Sequence, residues 1–289
     1  MIERITMDPD LLGECPVWDS ASEVLWWTDI EGRAIRRYAP GPGTLESCEL
    51  GYRPGSLALT SQPDRLLVAM EHQVGWFDWV TGSWEPWRDL EPAGTGNRLN
   101  DGRCDPAGRF WVGSMFERSA EGRCTGLLHR VEASGVSSTV RSQIGVSNGL
   151  AFSPDGRTMY HADTSRSTVW FYDYDLTSGE RSNERVFTHY RDLPGRPDGA
   201  CVDADGCYWT ACVGGSAVAR LTPNGDVDRV VEVPLVFPTM PAFGGTGLST
   251  LFVTSLRQNG AALPTSEHDG HLLAIDVGVS GIPEPIFAR

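Results

Sequence analysis

Residues 195–210 read GRPDGACVDADGCYWT, and this stretch contains the structural unit from which the chain is built. The apolar run 200–202 leads into the turn 203–206, and an aromatic pair follows the turn. An Asp-Gly pair supplies the positive backbone angles that a tight turn between antiparallel strands needs. The stretch therefore predicts a β-hairpin, and it places Asp198 just ahead of the first strand, between a proline and a glycine.

The same pattern recurs along the chain, at intervals of about 40 to 50 residues, which is the spacing of propeller blades. Clear copies occupy residues 104–111 and 152–160, and more divergent copies occupy residues 17–27, 59–68 and 243–253. Each copy is followed by a second apolar run and a further turn. Six such units predict an all-β fold, a six-bladed β-propeller with four-stranded blades that forms one domain over residues 1–289.

Equivalent positions in the six units are found by counting back five residues from the first residue of each hairpin turn, which is residue 203 in the stretch 195–210. Four units carry an oxygen-bearing side chain at this position: Glu14, Asn100, Asn148 and Asp198. The innermost strands of all blades line the central channel, so equivalent positions converge on the axis. The register therefore predicts a shared polar site on the central axis. The alternative is that such residues merely begin strands.

The formal net charge of −14 argues against nucleic acids and anionic membrane surfaces as partners, because both require clustered cationic side chains. No apolar run is long enough to cross a bilayer, and no export signal is visible at the start, so we expect a cytoplasmic protein. The seven cysteines are odd in number and lack paired zinc-site spacing, which favours reduced thiols. The sequence does not predict the oligomeric state.

The chemistry of the four side chains narrows what the axial site can hold. Glu14 and Asp198 provide carboxylates, whereas Asn100 and Asn148 provide amide oxygens. Hard oxygen ligands without His or Cys favour Ca²⁺, Mg²⁺ or Mn²⁺ over a structural zinc. Two carboxylates drawn into one channel repel each other unless a cation neutralises them. A divalent metal is therefore expected, either as a catalytic ion or as a structural ion that plugs the channel.

Closure of the ring requires that one blade be completed by both ends of the chain, because an open array would leave sheet edges exposed. We predict that residues 2–5 pair either with the terminal hairpin around residues 272–275 or with residues 285–287.

The chain resembles the family of senescence marker protein-30, the gluconolactonases and related regucalcin-like sugar lactonases. The motifs that carry this resemblance are GECPVW at 13–18, NRLNDGR at 97–103, SNGL at 147–150, PDG at 197–199 and FGG at 243–245. They extend over nearly the whole chain in the right order. The resemblance implies a six-bladed propeller with one divalent cation on the axis, which is Ca²⁺, Mg²⁺, Mn²⁺, Zn²⁺ or Fe²⁺.

The resemblance also implies roles for individual residues. Glu14, Asn148 and Asp198 would be the metal ligands, and Asn100 would lie on the metal or next to its ligands. Asp198 would double as the catalytic general base, while Arg98 and Asn100 would bind the hydroxyl and ring oxygens of the substrate. The chain departs from the family pattern at Arg118, where an acid is expected; this arginine would favour an anionic substituent on the substrate.

The predicted function is the metal-dependent hydrolysis of sugar lactones, especially aldonolactones, to the corresponding acids. The expected partner is thus a small-molecule sugar lactone. Two alternatives remain open at this point: a metal-dependent phosphotriesterase or aryl esterase, and a non-enzymatic calcium-binding propeller. The pair Arg98 and Asn100 favours a polyhydroxylated substrate over an apolar triester.

Overall fold

The fold is given by a computed structural model that describes residues 1–92, 94–257 and 265–288. It consists almost entirely of β-strands, apart from three short 3-10 turns at Ser119–Glu121, Thr164–Arg166 and Thr246–Leu248 within the described residues. The strands are β1 Ile2–Arg4, β2 Gly13–Asp19, β3 Val24–Asp29, β4 Ala34–Ala39, β5 Thr44–Glu49, β6 Pro54–Leu59, β7 Arg65–Met70, β8 Gln73–Asp78, β9 Ser83–Asp89, β10 Asn97–Cys104, β11 Phe110–Phe116, β12 Gly126–Val131, β13 Ser137–Ile144, β14 Ser147–Phe152, β15 Thr158–Asp163, β16 Thr168–Asp175, β17 Glu180–His189, β18 Arg196–Val202, β19 Tyr208–Val213, β20 Ala217–Leu221, β21 Val227–Glu232, β22 Pro238–Gly244, β23 Thr250–Ser255 and β24 Leu273–Asp276.

The described strands form six antiparallel sheets of four strands each. Blades 1 to 5 take four consecutive strands apiece, beginning at β2, β6, β10, β14 and β18, and blade 6 contains β22, β23, β24 and β1. The first strand of each group of four lies innermost and is almost wholly buried, whereas outer strands such as β5 are mostly exposed. The predicted six-bladed β-propeller is therefore confirmed.

The first strand of the chain closes the ring by completing blade 6. Ile2 pairs with Ile275, and Arg4 pairs with Leu273, so the hairpin around residues 272–275 is the correct choice of the two predicted partners. Residues 285–287 do not join this sheet; instead the Phe287 amide donates to the Leu59 carbonyl at 2.8 Å, between other blades. Both chain ends are thereby tied to the ring.

Asp203, the first residue of the hairpin turn in residues 195–210, connects the strands of its blade by hydrogen bonds. Asp203 is fully buried, and its Oδ2 accepts hydrogen bonds from Trp209 Nε1 and Arg220 Nε, both at 2.8 Å. Its Oδ1 accepts from the Cys207 amide at 2.9 Å, which holds the tight turn. Asp105 has the same role in blade 3, where it accepts from the Arg109 amide and side chain. Asp203 and Asp105 thus fix the turns from which Asp198 and Asn100 are counted.

Large apolar side chains fill the spaces between blades. Trp26, Trp111 and Trp209 are buried almost completely, and Trp209 packs edge-on against Phe243 of the next blade with ring centroids 5.8 Å apart. Aromatic pairs in this geometry add to the free energy gained from burying their area. All three tryptophans belong to apolar clusters that join neighbouring blades. All seven cysteines are free thiols, and Cys124 is the exposed one.

Every innermost strand loses its regular register near the axial position. The breaks fall between Glu14 and Val17, Pro54 and Ser56, Leu99 and Gly102, Asn148 and Ala151, Pro197 and Ala200, and Pro238 and Pro241. Two of them include left-handed backbone, at Cys15 with φ 48° and at Gly149 with φ 60°. Bulges of this kind redirect side chains, and here they fall at the axial residues: Glu14 and Asn148 are the last paired residues before a break, and Asn100 and Asp198 lie within one. No described helix is long and apolar enough to cross a membrane.

Candidate functional site

The four side chains identified by register are all buried at the same end of the channel. Glu14, Asn100, Asn148 and Asp198 keep 7%, 5%, 3% and 7% of their surfaces exposed, and they belong to the innermost strands of blades 1, 3, 4 and 5. Asn100 and Asn148 are in direct contact, since Asn100 Nδ2 lies 3.0 Å from Asn148 Oδ1. The two carboxylates interact electrostatically. The structure therefore brings these four residues together.

A chain of hydrogen bonds fixes the orientation of the two amides. Arg98 Nη1 donates to Asn100 Oδ1 at 2.7 Å, and Asn100 Nδ2 donates to Asn148 Oδ1. Asn148 Nδ2 donates to Thr164 Oγ1 at 2.8 Å, and this hydroxyl donates to the Pro197 carbonyl at 2.6 Å. The chain connects blades 3, 4 and 5 and ends beside Asp198. Because an amide oxygen has two lone pairs, Asn148 Oδ1 keeps one for a further partner.

Burial dominates the electrostatics of the two carboxylates. It raises the pKa of Glu14 well above its ordinary value, and the charges of Asp198 and Asp101 raise it further. Burial also raises the pKa of Asp198, with Asp101 again adding to the effect. Arg98 acts in the opposite direction on both groups, but it is itself buried. Without further positive charge, this site disfavours ionised carboxylates.

Asp101 is a buried acid of this site that the register count did not identify. Its Oδ2 accepts from the Leu150 amide at 2.9 Å, while its Oδ1 is buried with no hydrogen-bond partner among the described residues. Burial raises the pKa of Asp101 to about 6. The count misses it because the break between Leu99 and Gly102 turns two adjacent residues inward, and strict alternation along a strand predicts only one.

These residues fit a divalent cation by their chemistry. All candidate donors are hard oxygens, the carboxylates need a counter-charge, and Asp101 adds negative charge nearby. Over the residues that the structure describes, no three His, Cys, Asp or Glu side chains are grouped as a metal site. The candidate donors are the carboxylates of Glu14 and Asp198 and the amide oxygen of Asn148.

Arg118, the third predicted substrate residue alongside Arg98 and Asn100, lies on the surface. Its side chain is 69% exposed, and its Nε lies 2.9 Å from Glu121 Oε1. The neighbouring Glu117 instead turns towards the channel, where it pairs with Arg53 at 2.7 Å and acts electrostatically on Arg98. The contacts of the described residues do not connect Arg118 with the four axial side chains, so its role in substrate binding stays a prediction.

The sequence and the fold were compared with known proteins. Residues 12–257 match the family model described as the SMP-30/gluconolactonase/LRE-like region. The chain is 38% identical to a 6-deoxy-6-sulfogluconolactonase from Pseudomonas putida, over 99% of this chain and 98% of that protein. It is 34% identical to an L-arabinolactonase from Azospirillum brasilense, over 96% of this chain and 92% of that protein.

Solved structures show the same relationship. A calcium-binding protein, regucalcin, from Agrobacterium tumefaciens superposes with a TM-score of 0.93 at 30% identity, covering 99% of this chain and 97% of that one. The family match and the shared fold agree with each other. The chain belongs to the SMP-30/gluconolactonase/LRE-like family.

Proposed function

We propose that this protein hydrolyses sugar lactones with the help of one divalent cation at the axial site. The observation that carries the proposal is the meeting of two buried carboxylates, an oriented amide oxygen and an arginine at the end of one channel. Relatives named for lactones at 34–38% identity, over more than nine-tenths of the chain, support the same activity. Their names include a sulfonated lactone and a pentose-derived lactone, so both charged and neutral substrates are candidates.

Glu14, Asp198 and Asn148 would hold the cation. When bound, the cation would neutralise the buried carboxylates and supply Lewis-acid polarisation of the ester carbonyl. Arg98 donates to Asn100 Oδ1 and leaves that oxygen one lone pair. Asn100 would orient Asn148 through its Nδ2, contact substrate, and lie on the cation or next to its ligands.

Asp198 would act as the general base. It would take a proton from a water molecule whose oxygen forms a bond with the carbonyl carbon, and the ring C–O bond would then break. The proton would pass from Asp198 to the departing ring oxygen, so that the product is the open-chain hydroxy acid. A base must be ionised to work, and the burial that raises the pKa of Asp198 explains why it needs positive charge beside it.

Arg98 would bind hydroxyl oxygens of the substrate. Only its Nη1 atom is committed to hydrogen bonds within the described residues, to Asn100 Oδ1 and to the Leu99 carbonyl at 3.1 Å. The remaining N–H groups of the guanidinium fork are available to a polyhydroxylated ligand.

The proposal is tested with a substrate panel and two variants. Gluconolactone, xylonolactone, arabinonolactone and a chromogenic phosphotriester are assayed with the native protein, after chelation and after return of Ca²⁺, Mg²⁺, Mn²⁺ or Zn²⁺. We expect lactone turnover that chelation abolishes and a metal restores. Asp198→Asn and Glu14→Gln should each lower turnover by about a thousandfold, within the range for loss of a general base.

Asp192→Asn is the matched control, because Asp192 is an exposed acid six positions before Asp198 in the same segment. It should leave turnover within about twofold, as a surface substitution does. Full lactone turnover in chelated Asp198→Asn protein would refute the proposal. Turnover of the phosphotriester alone would favour an esterase, and metal binding without turnover of any substrate would favour a binding protein.

A further inference from the structure

The position two residues before the axial site is occupied by arginine in three blades. Counting back seven residues from the turn residue gives Arg53 in blade 2, Arg98 in blade 3 and Arg196 in blade 5. Blades 1 and 4 have Leu12 and Val146 there. Because the innermost strands run side by side around the channel, these arginines mark one level at its mouth, above the axial residues.

Arg53 is already neutralised by its neighbours. Its guanidinium lies 2.7 Å from Glu117, 3.2 Å from Glu71 and 3.5 Å from Glu31. These three acids come from loops of three different blades and surround a single positive charge. Arg53 therefore offers little net attraction to a further anion.

Arg196 is in the opposite situation. It is exposed, and within the described part of the chain it takes part in no ion pair or side-chain hydrogen bond. Arg196 pairs with Val213 and Pro197 pairs with Cys212 in an unbroken ladder, so the strand is regular up to the axial position. Arg98 and Asn100 hold the same two positions in blade 3, where Arg98 Nη1 donates to Asn100 Oδ1, so the equivalent Arg196 is placed beside Asp198.

Arg98 and Arg196 thus flank the axial site from blades 3 and 5. Both lower the pKa of Asp198 by their positive charge, which agrees with their positions on either side of that carboxylate. The whole protein has a net charge of −14 and no lysine, so an anionic substrate is repelled except where arginines are left unpaired. Arg196, on the blade 5 side of the mouth, is such an arginine.

We propose that Arg196, together with Arg98, binds an acidic substituent of the lactone and that Arg196 is the residue which selects for it. The inference rests on the proposed lactonase function and assigns its substrate class: lactones that carry a sulfonate, phosphate or carboxylate away from the ring ester. Planar guanidinium groups match the oxygens of all three groups with paired N–H donors. Arg196, rather than the surface residue Arg118, is the specificity residue in this assignment.

The test compares a neutral and an anionic lactone with the same ring. Kinetics are measured for glucono-lactone and its 6-deoxy-6-sulfo and 6-phospho derivatives, with the native protein, Arg196→Gln and Arg196→Lys. Arg196→Gln should lower the ratio of kcat/KM for the anionic lactones over the neutral one by about tenfold, mainly through KM, as expected for one charged hydrogen bond. Arg196→Lys should fall between the two, because it keeps the charge and loses the fork.

Arg157→Gln is the matched control, since Arg157 is an exposed arginine in the β14–β15 turn, at the far end of an innermost strand. It changes the net charge equally and should leave the ratio unchanged. An unchanged ratio in Arg196→Gln, or an equal change in Arg157→Gln, would overturn the inference.

The ring-opened acids separate a failure of this inference from a failure of the lactonase proposal. Calorimetric titration with gluconate and with 6-deoxy-6-sulfogluconate needs no turnover. If no lactone is hydrolysed, the proposed function fails, but Arg196→Gln should still weaken binding of the sulfonated acid about tenfold relative to gluconate. Equal weakening of both acids, or of neither, would overturn the role of Arg196 whether or not lactones are hydrolysed.

Discussion

Arg98 has two partners with different roles, one inside the protein and one in the proposed substrate. Its Nη1 holds Asn100 Oδ1 at 2.7 Å, and Asn100 in turn holds Asn148. The family resemblance assigned Arg98 to substrate binding alone. The hydrogen-bond chain adds that its loss also frees the amide that would complete the cation site.

Arg98→Ala should therefore affect both kinetic constants. We expect KM to rise about tenfold, because a charged hydrogen bond to substrate is lost, and kcat to fall as well, because Asn100 and Asn148 are released. Arg98→Lys should raise KM less than Arg98→Ala does, whereas kcat should still fall. Steady-state kinetics with the best aldonolactone measures both constants, and an unchanged KM in Arg98→Ala would remove Arg98 from substrate binding.

The sequence pattern identifies some residues of the axial site and misses others. Glu14, Asn100, Asn148 and Asp198 are found by register because a similar hairpin turn follows each of them, and in two of these blades a buried acid, Asp105 or Asp203, holds the turn. The register count does not identify Asp101, because a β-bulge interrupts the alternation of side chains along the strand. The partners of Arg118 depend on the local path of a surface loop, which the residue pattern does not specify.

Within blade 4, a buried histidine joins two strands. His161 on β15 is fully buried; its Nε2 lies 2.8 Å from Ser147 Oγ on β14, and its Nδ1 lies 3.5 Å from Arg141 Nη1. Burial lowers the pKa of His161 well below its ordinary value, and the charges of Arg141 and Arg181 lower it further. The imidazole is therefore neutral in the folded protein.

This histidine should make stability depend on pH. In the unfolded chain it binds a proton below about pH 6.5, whereas the folded protein keeps it neutral, so the unfolded state binds more protons there. Stability should then fall as pH drops below about 6.5, by about 1.4 kcal/mol per pH unit from this group. Urea unfolding between pH 7.5 and 5.5 measures the slope.

His161→Gln should show a shallower slope over this range than the native protein, even if it is less stable at every pH. His189→Gln is the control, because His189 is exposed at the end of β17. Groups that titrate in all three proteins cancel from the comparison. Parallel slopes for the native protein and His161→Gln would show that His161 is not held neutral.

Asp163 holds the backbone that leads into the innermost strand β14. Asp163 accepts from the amides of Gly145 and Val146, at 2.8 and 3.1 Å, just before Asn148. Asp29 in blade 1 does the same for Leu11 and Leu12 ahead of Glu14. These acids hold the backbone that carries the axial side chains. They are strand-end residues in the sequence, and only the folded sheet reveals which amides they contact.

For the whole molecule, the repeat spacing was sufficient to predict the six blades and the closing role of the first strand. The path of the last residues was not predictable, because it depends on tertiary contacts with several blades, such as the hydrogen bond from the Phe287 amide to the Leu59 carbonyl. Glu284 Oε1 lies 3.4 Å from Nε of Arg103, which is on the innermost strand β10. Burial raises the pKa of Glu284, and the charge of Arg103 opposes this effect.

The tail thus closes one end of the ring. Residues 282–285 line a small cavity with Arg103 and Cys201, beyond the axial residues. We propose that substrate enters from the opposite end, where Arg98 and Arg196 lie, and that residues remote in sequence converge on the axis of the ring to hold the cation.

The most direct test of that claim is an anomalous difference map from crystals of the native protein grown with Mn²⁺. We predict one strong peak on the axis, within about 2.5 Å of side-chain oxygens of Glu14, Asn148 and Asp198, in the range of metal–oxygen bonds. A map without a peak at this position, or one in which these oxygens point away from the channel, would contradict the account.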